Sequence, residues 1–133
     1  MSHENVETVR AAFEAINRGD VDAMLTDAAP DFELDWSRAV GPQRGVFGRD
    51  EVPGLLREFD EPWESVRREA DEFIEAGEQV VMPFTGYHRG RDGIEVQARS
   101  AWLITVRDGL QTSLTLYQTR SDALEAAARD DRA

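Results

Sequence analysis

No cysteine occurs in the 133 residues, so disulfides, thiolate metal sites and a cysteine nucleophile are excluded together. Lysine is absent as well: all 15 basic residues are arginine, which removes a Schiff-base lysine and points to a GC-rich genome. Histidine is scarce. His3 and His88 are too far apart in sequence for a metal motif, and no His-Glu-x-x-His or clustered carboxylate spacing occurs, so neither a metal nor a cofactor is expected. Gly41, Gly45 and Gly48 recur without the strand–turn–helix context or the lysine of a phosphate loop. No run approaches the ~20 apolar residues of a membrane span, and the start, Met1–Asn5, has no basic stretch followed by an apolar one. A cytoplasmic protein without a membrane partner is the expectation. Positive charge is outnumbered, 27 acidic residues giving a formal charge of −12, so nucleic acid is not an expected partner either.

What is present is enough for one core: 41% hydrophobic residues in a length typical of one domain, expected to span 1–133. Ser2 can cap a helix to Arg18 with Val6, Val9, Phe13 and Ile16 on one face, and Gly19 stops it. Asp20 caps a second helix carrying Val21, Met24, Leu25 and Ala28, which Pro30 ends. Phe32–Trp36 alternates as a short strand, Ser37–Phe47 reads as a loop, and a third helix from Asp50 carries Val52, Leu55, Leu56 and Phe59. Ser65–Glu75 reads as a polar edge strand. The organising stretch is Glu78–Gln118, three consecutive strands (Glu78–His88, Ile94–Arg107, Leu110–Gln118) joined by a glycine-rich turn and by Asp108-Gly109, a strong hairpin signal. Ser121–Arg129 follows as a terminal helix, and Asp130–Ala133 is expected to fray.

This order, with Phe13-Glu14-Ala15-Ile16-Asn17-Arg18-Gly19-Asp20-Val21-Asp22-Ala23, Gly48-Arg49-Asp50-Glu51-Val52, Glu75-Ala76-Gly77-Glu78-Gln79-Val80-Val81 and Val106-Arg107-Asp108-Gly109, resembles the SnoaL-like branch of the nuclear-transport-factor-2-like (NTF2-like) superfamily. The resemblance implies an α+β, NTF2-like/cystatin-like cone: a strongly curved antiparallel sheet wrapped around an N-terminal helical pair and a third helix, often in homodimers. Members include ketosteroid isomerase, limonene epoxide hydrolase and polyketide cyclases, so the fold does not fix a reaction. The isomerase base position falls near Trp36, one residue from Asp35; its oxyanion donors fall near Ala12 and Arg99, and the last-strand aspartate of the hydrolase near Leu116. Neither oxyanion donor is present, and steroid isomerase activity is not expected.

Strand alternation puts Met82, Phe84, Gly86 and His88 on one face and Val81, Pro83, Thr85 and Tyr87 on the other. The cavity is expected to hold Phe13, Trp36, Phe59, Met82, Phe84, Leu114 and Leu116, with Gln97, Arg99 and Gln118 as its polar members. The catalytic candidates are Asp35 or His88 as base and Arg99 as oxyanion stabiliser; a lone histidine beside glycine-rich turns is more often an exposed rim residue, and Arg99 also reads as a structural ion pair with Asp35 or Glu33. Trp102, Ile104, Val106, Thr115 and Tyr117 would then form an apolar convex face to be covered in a homodimer. The expected ligand is a compact apolar or amphipathic small molecule with one oxygenated or anionic end. Its handling ranges from cofactor-free isomerisation, cyclisation or hydration, through carriage or sensing, to a structural dimer module with no ligand.

Overall fold

The computed structural model describes residues 2–39 and 42–132, with side chains described only within residues 4–129. The expectations placed on the Ser2 cap, the His3 side chain, Gly41 and Ala133 lie outside that range, whereas the backbone of 130–132, expected to fray, is helical. Helix α1 (Ser2–Asn17) buries Val9, Ala12, Phe13 and Ile16, the 3.6-residue stripe of its sequence. Gly19 ends it at φ +76°, a conformation that suits glycine, and Asp20 accepts from the Ala23 amide at 3.0 Å to cap α2 (Val21–Met24).

This second helix is one turn long, shorter than its sequence suggests. Ala28 already belongs to strand β1 (Ala28–Asp35), which contains Pro30 rather than being preceded by it. The proline is tolerated because β1 pairs with its neighbour at Ala28 and again only from Glu33, so Pro30 falls where the ladder needs no donor. Strand β2 (Val46–Gly48), a 3₁₀ turn (Arg49–Glu51) and α3 (Val52–Asp60) follow, with the Gly48 amide donating to the Glu51 carboxylate at 3.1 Å. The remaining elements are β3 (Trp63–Ala70), β4 (Ile74–Ala76), β5 (Gln79–Gly90), β6 (Glu95–Arg107), β7 (Leu110–Tyr117) and α4 (Arg120–Arg132).

The strands form one curled, mixed sheet in the order β2-β1-β7-β6-β5-β3, with β4 also on β5; every pair is antiparallel except β1–β7. Helices α1 and α3 pack on its concave face. There Phe13 meets Phe84 and Trp102 edge-on, at ring separations of 6.1 and 5.6 Å.

Register settles the faces of β6, and here the sequence expectation is overturned. Counting outward from the Asp108-Gly109 turn, Arg107 pairs with Leu110 and Val106 with Gln111, but Thr105 pairs with Ser113. Thr112 is the extra residue of a β-bulge, and one extra residue exchanges the two faces of everything beyond it. Unbroken pairing with β5 sets Trp102 opposite Met82 and Ile104 opposite Val80, so with Val106 they face the concave side at 5%, 0% and 1% exposure, and the bulge turns Leu114 and Leu116 to that same side. The convex side receives Ala101, Leu103 and Tyr117, and α4 covers them with Ala123, Ala126 and Ala127. The apolar patch on which a homodimer was expected to close does not form, since three of its five members lie in the core and Tyr117 lies under α4. Among the described residues no helix is long and apolar enough to cross a membrane.

Candidate functional site

Between the concave face and the helices lies a cavity of about 170 Å³. Its floor alternates along the strands: Phe84, Gly86 and His88 from β5, then Ala98, Ser100 and Trp102 from β6, with Leu116 and Gln118 at the far side. Ile16, Leu56 and Phe59 cover it from the helices, and Trp36 closes it from the end of β1. Phe59 is central to the cover, standing edge-on to Trp36 at 5.3 Å and to His88 at 5.7 Å.

His88 is buried at 8% exposure, its ring held between Phe59 and Trp63 (5.1 Å), so it is not the exposed rim residue that neighbouring glycines suggest. Its Nδ1 and the indole Nε1 of Trp36 are both buried and without a hydrogen-bond partner among the described residues. Burial holds the His88 pKa below its ordinary 6.5, the Arg68 charge lowers it further, and Asp60 opposes the shift. The imidazole is therefore neutral at pH 7, with one nitrogen able to accept a proton.

The cation in this cavity is Arg68, which the sequence reading left on a polar edge strand. It is 8% exposed and its Nη2 donates to Asp60 Oδ1 at 3.2 Å, while the Asp60 side chain keeps 43% of its surface in solvent. Asn17 at the end of α1 fixes the strand there, donating to the Arg68 carbonyl at 2.7 Å and accepting from its amide at 3.0 Å. Arg68 pairs across the sheet with Gly86, and Val66 with His88, so guanidinium and imidazole are diagonal neighbours on one face. A signal for this was legible: Val66, Arg68 and Ala70 alternate, and two apolar residues flank the arginine on its own face.

Asp35 does not reach the cavity. Leu34 and Trp36 point inward, and the intervening Asp35 carboxylate accepts from the Ser37 amide (2.9 Å) and hydroxyl (2.6 Å) and lies 3.8 Å from Arg38. Arg99 is excluded by the β6 register: it pairs with Thr85 on the convex side and lines a separate surface groove with Asp71, Glu72 and Arg120. Gln97 shares that face, opposite Tyr87, and is exposed. Phe13, Met82 and Leu114 pack behind the cavity wall as closed core, whereas Trp36, Phe59, Phe84, Leu116 and Gln118 line the cavity as expected. Gln118 also donates to the Arg38 carbonyl at 2.9 Å, which ties the loop after β1 to the end of β7. No group of three or more potential metal ligands exists among the described residues.

A curled sheet closed by helices around one apolar cavity is the NTF2-like, cystatin-like architecture. Residues 9–114 match the SnoaL-like domain, and the chain belongs to that family. Similar structures include an NTF2-like protein of unknown function from Burkholderia pseudomallei (25% identity, 92% of this chain and 95% of that one, TM-score 0.75). TerC co-crystallised with polyporic acid is 21% identical over 94% of this chain and 98% of its own, at TM-score 0.77. A putative polyketide cyclase from Xanthomonas campestris pv. campestris is 23% identical over 95% and 98%, at TM-score 0.69. At those two identities the likeness is one of fold. No curated protein matches the chain.

Proposed function

We propose that the cavity binds a single-ring ketone and that His88 enolises it without a cofactor. The observation that carries this reading is the buried His88, set in an aromatic box beside the Arg68 guanidinium and the unpartnered Trp36 N–H. Size supports one ring, since a dry cavity of about 150 Å³ accommodates benzene. Polarity supports one oxygenated end: buried donors and acceptors without partners cost free energy that a ligand oxygen can recover. In the reaction the unprotonated His88 nitrogen takes a proton from the carbon next to the carbonyl. The C–H electron pair becomes the C=C bond of an enolate, and the carbonyl π pair moves onto oxygen, where the Trp36 N–H and Arg68 meet the charge. Where the enolate is conjugated with a C=C bond, returning the proton to the far carbon of that bond is isomerisation; where the substrate carries a second carbonyl, attack of the enolate carbon on it, with that carbonyl's π pair moving to its oxygen and taking up the proton from His88, is cyclisation. Arg68 remains compensated by Asp60 at rest, so the site suits a neutral ligand that becomes anionic only as it reacts. The likeness to TerC co-crystallised with polyporic acid and to a putative polyketide cyclase points the same way, toward a small organic ligand.

Hydrogen–deuterium exchange next to the carbonyl of 1-phenylpropan-2-one in D₂O, followed by NMR, tests the reading. Saturable exchange above the buffer rate is expected. Saturable binding with exchange at the buffer rate would leave a ligand carrier, and no binding would remove the reading altogether.

Gly86 makes a second test. A Cβ there would lie 2.9 Å from His88 Nε2 and 3.5 Å from its Cδ2, and the imidazole cannot swing freely between Phe59 and Trp63. Gly86→Ala should therefore displace the base, lowering ketone exchange at least about tenfold while costing on the order of 1–3 kcal/mol in stability. Exchange kinetics beside a urea melt would check both, and unchanged exchange would show that His88 position does not matter.

A further inference from the structure

Strand β6 extends beyond the neighbour that covers it. On one side β5 pairs with it without interruption from Glu95 to Thr105, but on the other β7 reaches only as far as Ala101, which it meets at Tyr117. Residues 95–99 of β6 are therefore an open sheet edge among the described residues, exposed on both faces. The hydrogen-bond pattern shows which groups are left over. The Gly90 amide donates to the Ile94 carbonyl at 2.8 Å, so by alternation Ile94, Val96 and Ala98 turn their main-chain groups toward β5, while Glu95, Gln97 and Arg99 turn theirs outward. Bulges and prolines blunt such edges in many sheets, and this one has neither. Its two charges are of opposite sign: Glu95 and Arg99 are both exposed, and neither side chain has a hydrogen-bond or ion-pair partner among the described residues.

We infer that this edge docks a second copy of the chain, strand to strand and antiparallel, about a two-fold axis at Gln97. In that register Gln97 faces the partner's Gln97, Glu95 faces the partner's Arg99, and Arg99 faces the partner's Glu95. Every outward main-chain group of the three residues then has a partner, and so do both charges. The register is constrained. A shift of one residue would set outward-facing groups against inward-facing ones, and a shift of two would take Glu95 and Arg99 away from each other. On the concave face the same pairing sets Val96 opposite the partner's Ala98, in a non-hydrogen-bonded pair, where side chains come closest. Ala98 lines the His88 cavity, so the partner's Val96 adds to the cavity's rim. Val96, 46% exposed in the single chain, is partly withdrawn from water by the same contact.

Sedimentation of the full chain between about 1 and 200 µM tests this, and a monomer–dimer equilibrium is expected. Arg99→Glu sets acid against acid at both ends of the pairing, and Glu95→Arg sets arginine against arginine, so each variant should weaken the dimer at least about thirtyfold. General charge repulsion cannot mimic that result, because Glu95→Arg makes an acidic chain less acidic and would by that effect associate more tightly. An equimolar mixture of the two variants should associate within about threefold of the unmodified chain, since one copy then carries both acids and the other both arginines. The double variant Glu95→Arg, Arg99→Glu should dimerise again for the same reason. Both positions are exposed, so thermal melts of all these variants at monomeric concentrations should coincide with that of the unmodified chain. A chain that stays monomeric throughout would overturn the inference and leave the edge to an extended segment of another protein. Single variants that still dimerise would overturn it by placing the contact elsewhere, and a mixture that fails to reassociate would overturn the register.

Discussion

Replacement of His88 by glutamine is expected to lower the exchange of 1-phenylpropan-2-one by roughly 10²- to 10⁴-fold, the usual contribution of a positioned general base. Glutamine preserves reach and a polar tip, so binding should weaken far less than turnover. In the unmodified protein the rate should rise with pH as His88 loses its proton and level off at or below pH 6.5, because burial and Arg68 depress its pKa and Asp60 only partly offsets them. The variant should show no such rise. Stability follows the same sign: below pH 6.5 the unfolded chain takes a proton that folded His88 resists. The His88 contribution is therefore complete above 6.5 and declines as pH falls toward the lowered folded value. Exchange kinetics at a series of pH values, with a parallel series of urea melts, measure both. An unchanged rate in the variant would place the base elsewhere.

The second large effect tests the sheet. Trp102 is 5% exposed, 5.6 Å from the Phe13 ring and 5.5 Å from Phe84, so Trp102→Ala should cost about 3–5 kcal/mol of stability. Arg99, three residues earlier and on the other face, is exposed, and Arg99→Ala should stay within about 0.5 kcal/mol. Chemical denaturation of the two variants decides. A mild Trp102 variant beside a severe Arg99 variant would mean that the faces are the reverse of those described.

That contrast also marks how far the sequence can be read. The order of the helices and of the three long strands, the Asp108-Gly109 turn, the faces of β5 and the apolar stripe of α1 all follow from local periodicity and turn chemistry, and the folded chain reproduces them, whereas β2 begins in the stretch that reads as loop and Ser65–Glu75, which reads as one strand, is divided between β3 and β4. The bulge at Thr112 does not. Nothing in Gln111-Thr112-Ser113 requires an extra residue, yet that single insertion turns Leu114 and Leu116 to the side of Trp102, while the unbroken β5–β6 pairing sets Trp102 inward opposite Met82 and the expected polar anchor, Arg99, outward opposite Thr85. A tertiary reason is visible. Without the bulge the Trp102 and Ile104 face of β6 would oppose the Leu114 and Leu116 face of β7, and one of the two apolar sets would be left in water.

The site was legible to a similar depth. Aromatic residues converging on His88 could be anticipated from β5 alternation, and Trp36, Phe59 and Phe84 line the cavity together. Asp35 was indicated by its nearness to a family position, but a strand reverses its side chains at each residue, and Trp36 occupies the inward one. Arg68 was overlooked because four charged residues in Glu64–Glu69 read as a solvated edge. Only the partner at the end of α3, Asp60, makes its burial affordable, and that contact spans two elements whose packing no local pattern specifies.

The central claim is that a neutral, buried imidazole meets the ligand oxygen, and NMR titration of the histidine ring signals tests it most directly. The chain has two histidines, so the His88 signal is the one missing from His88→Gln. It should titrate below 6.5, and it should shift on addition of 1-phenylpropan-2-one with the same saturation curve as binding. A His88 ring that titrates at or above 6.5 and is unmoved by a ketone that binds would contradict the account.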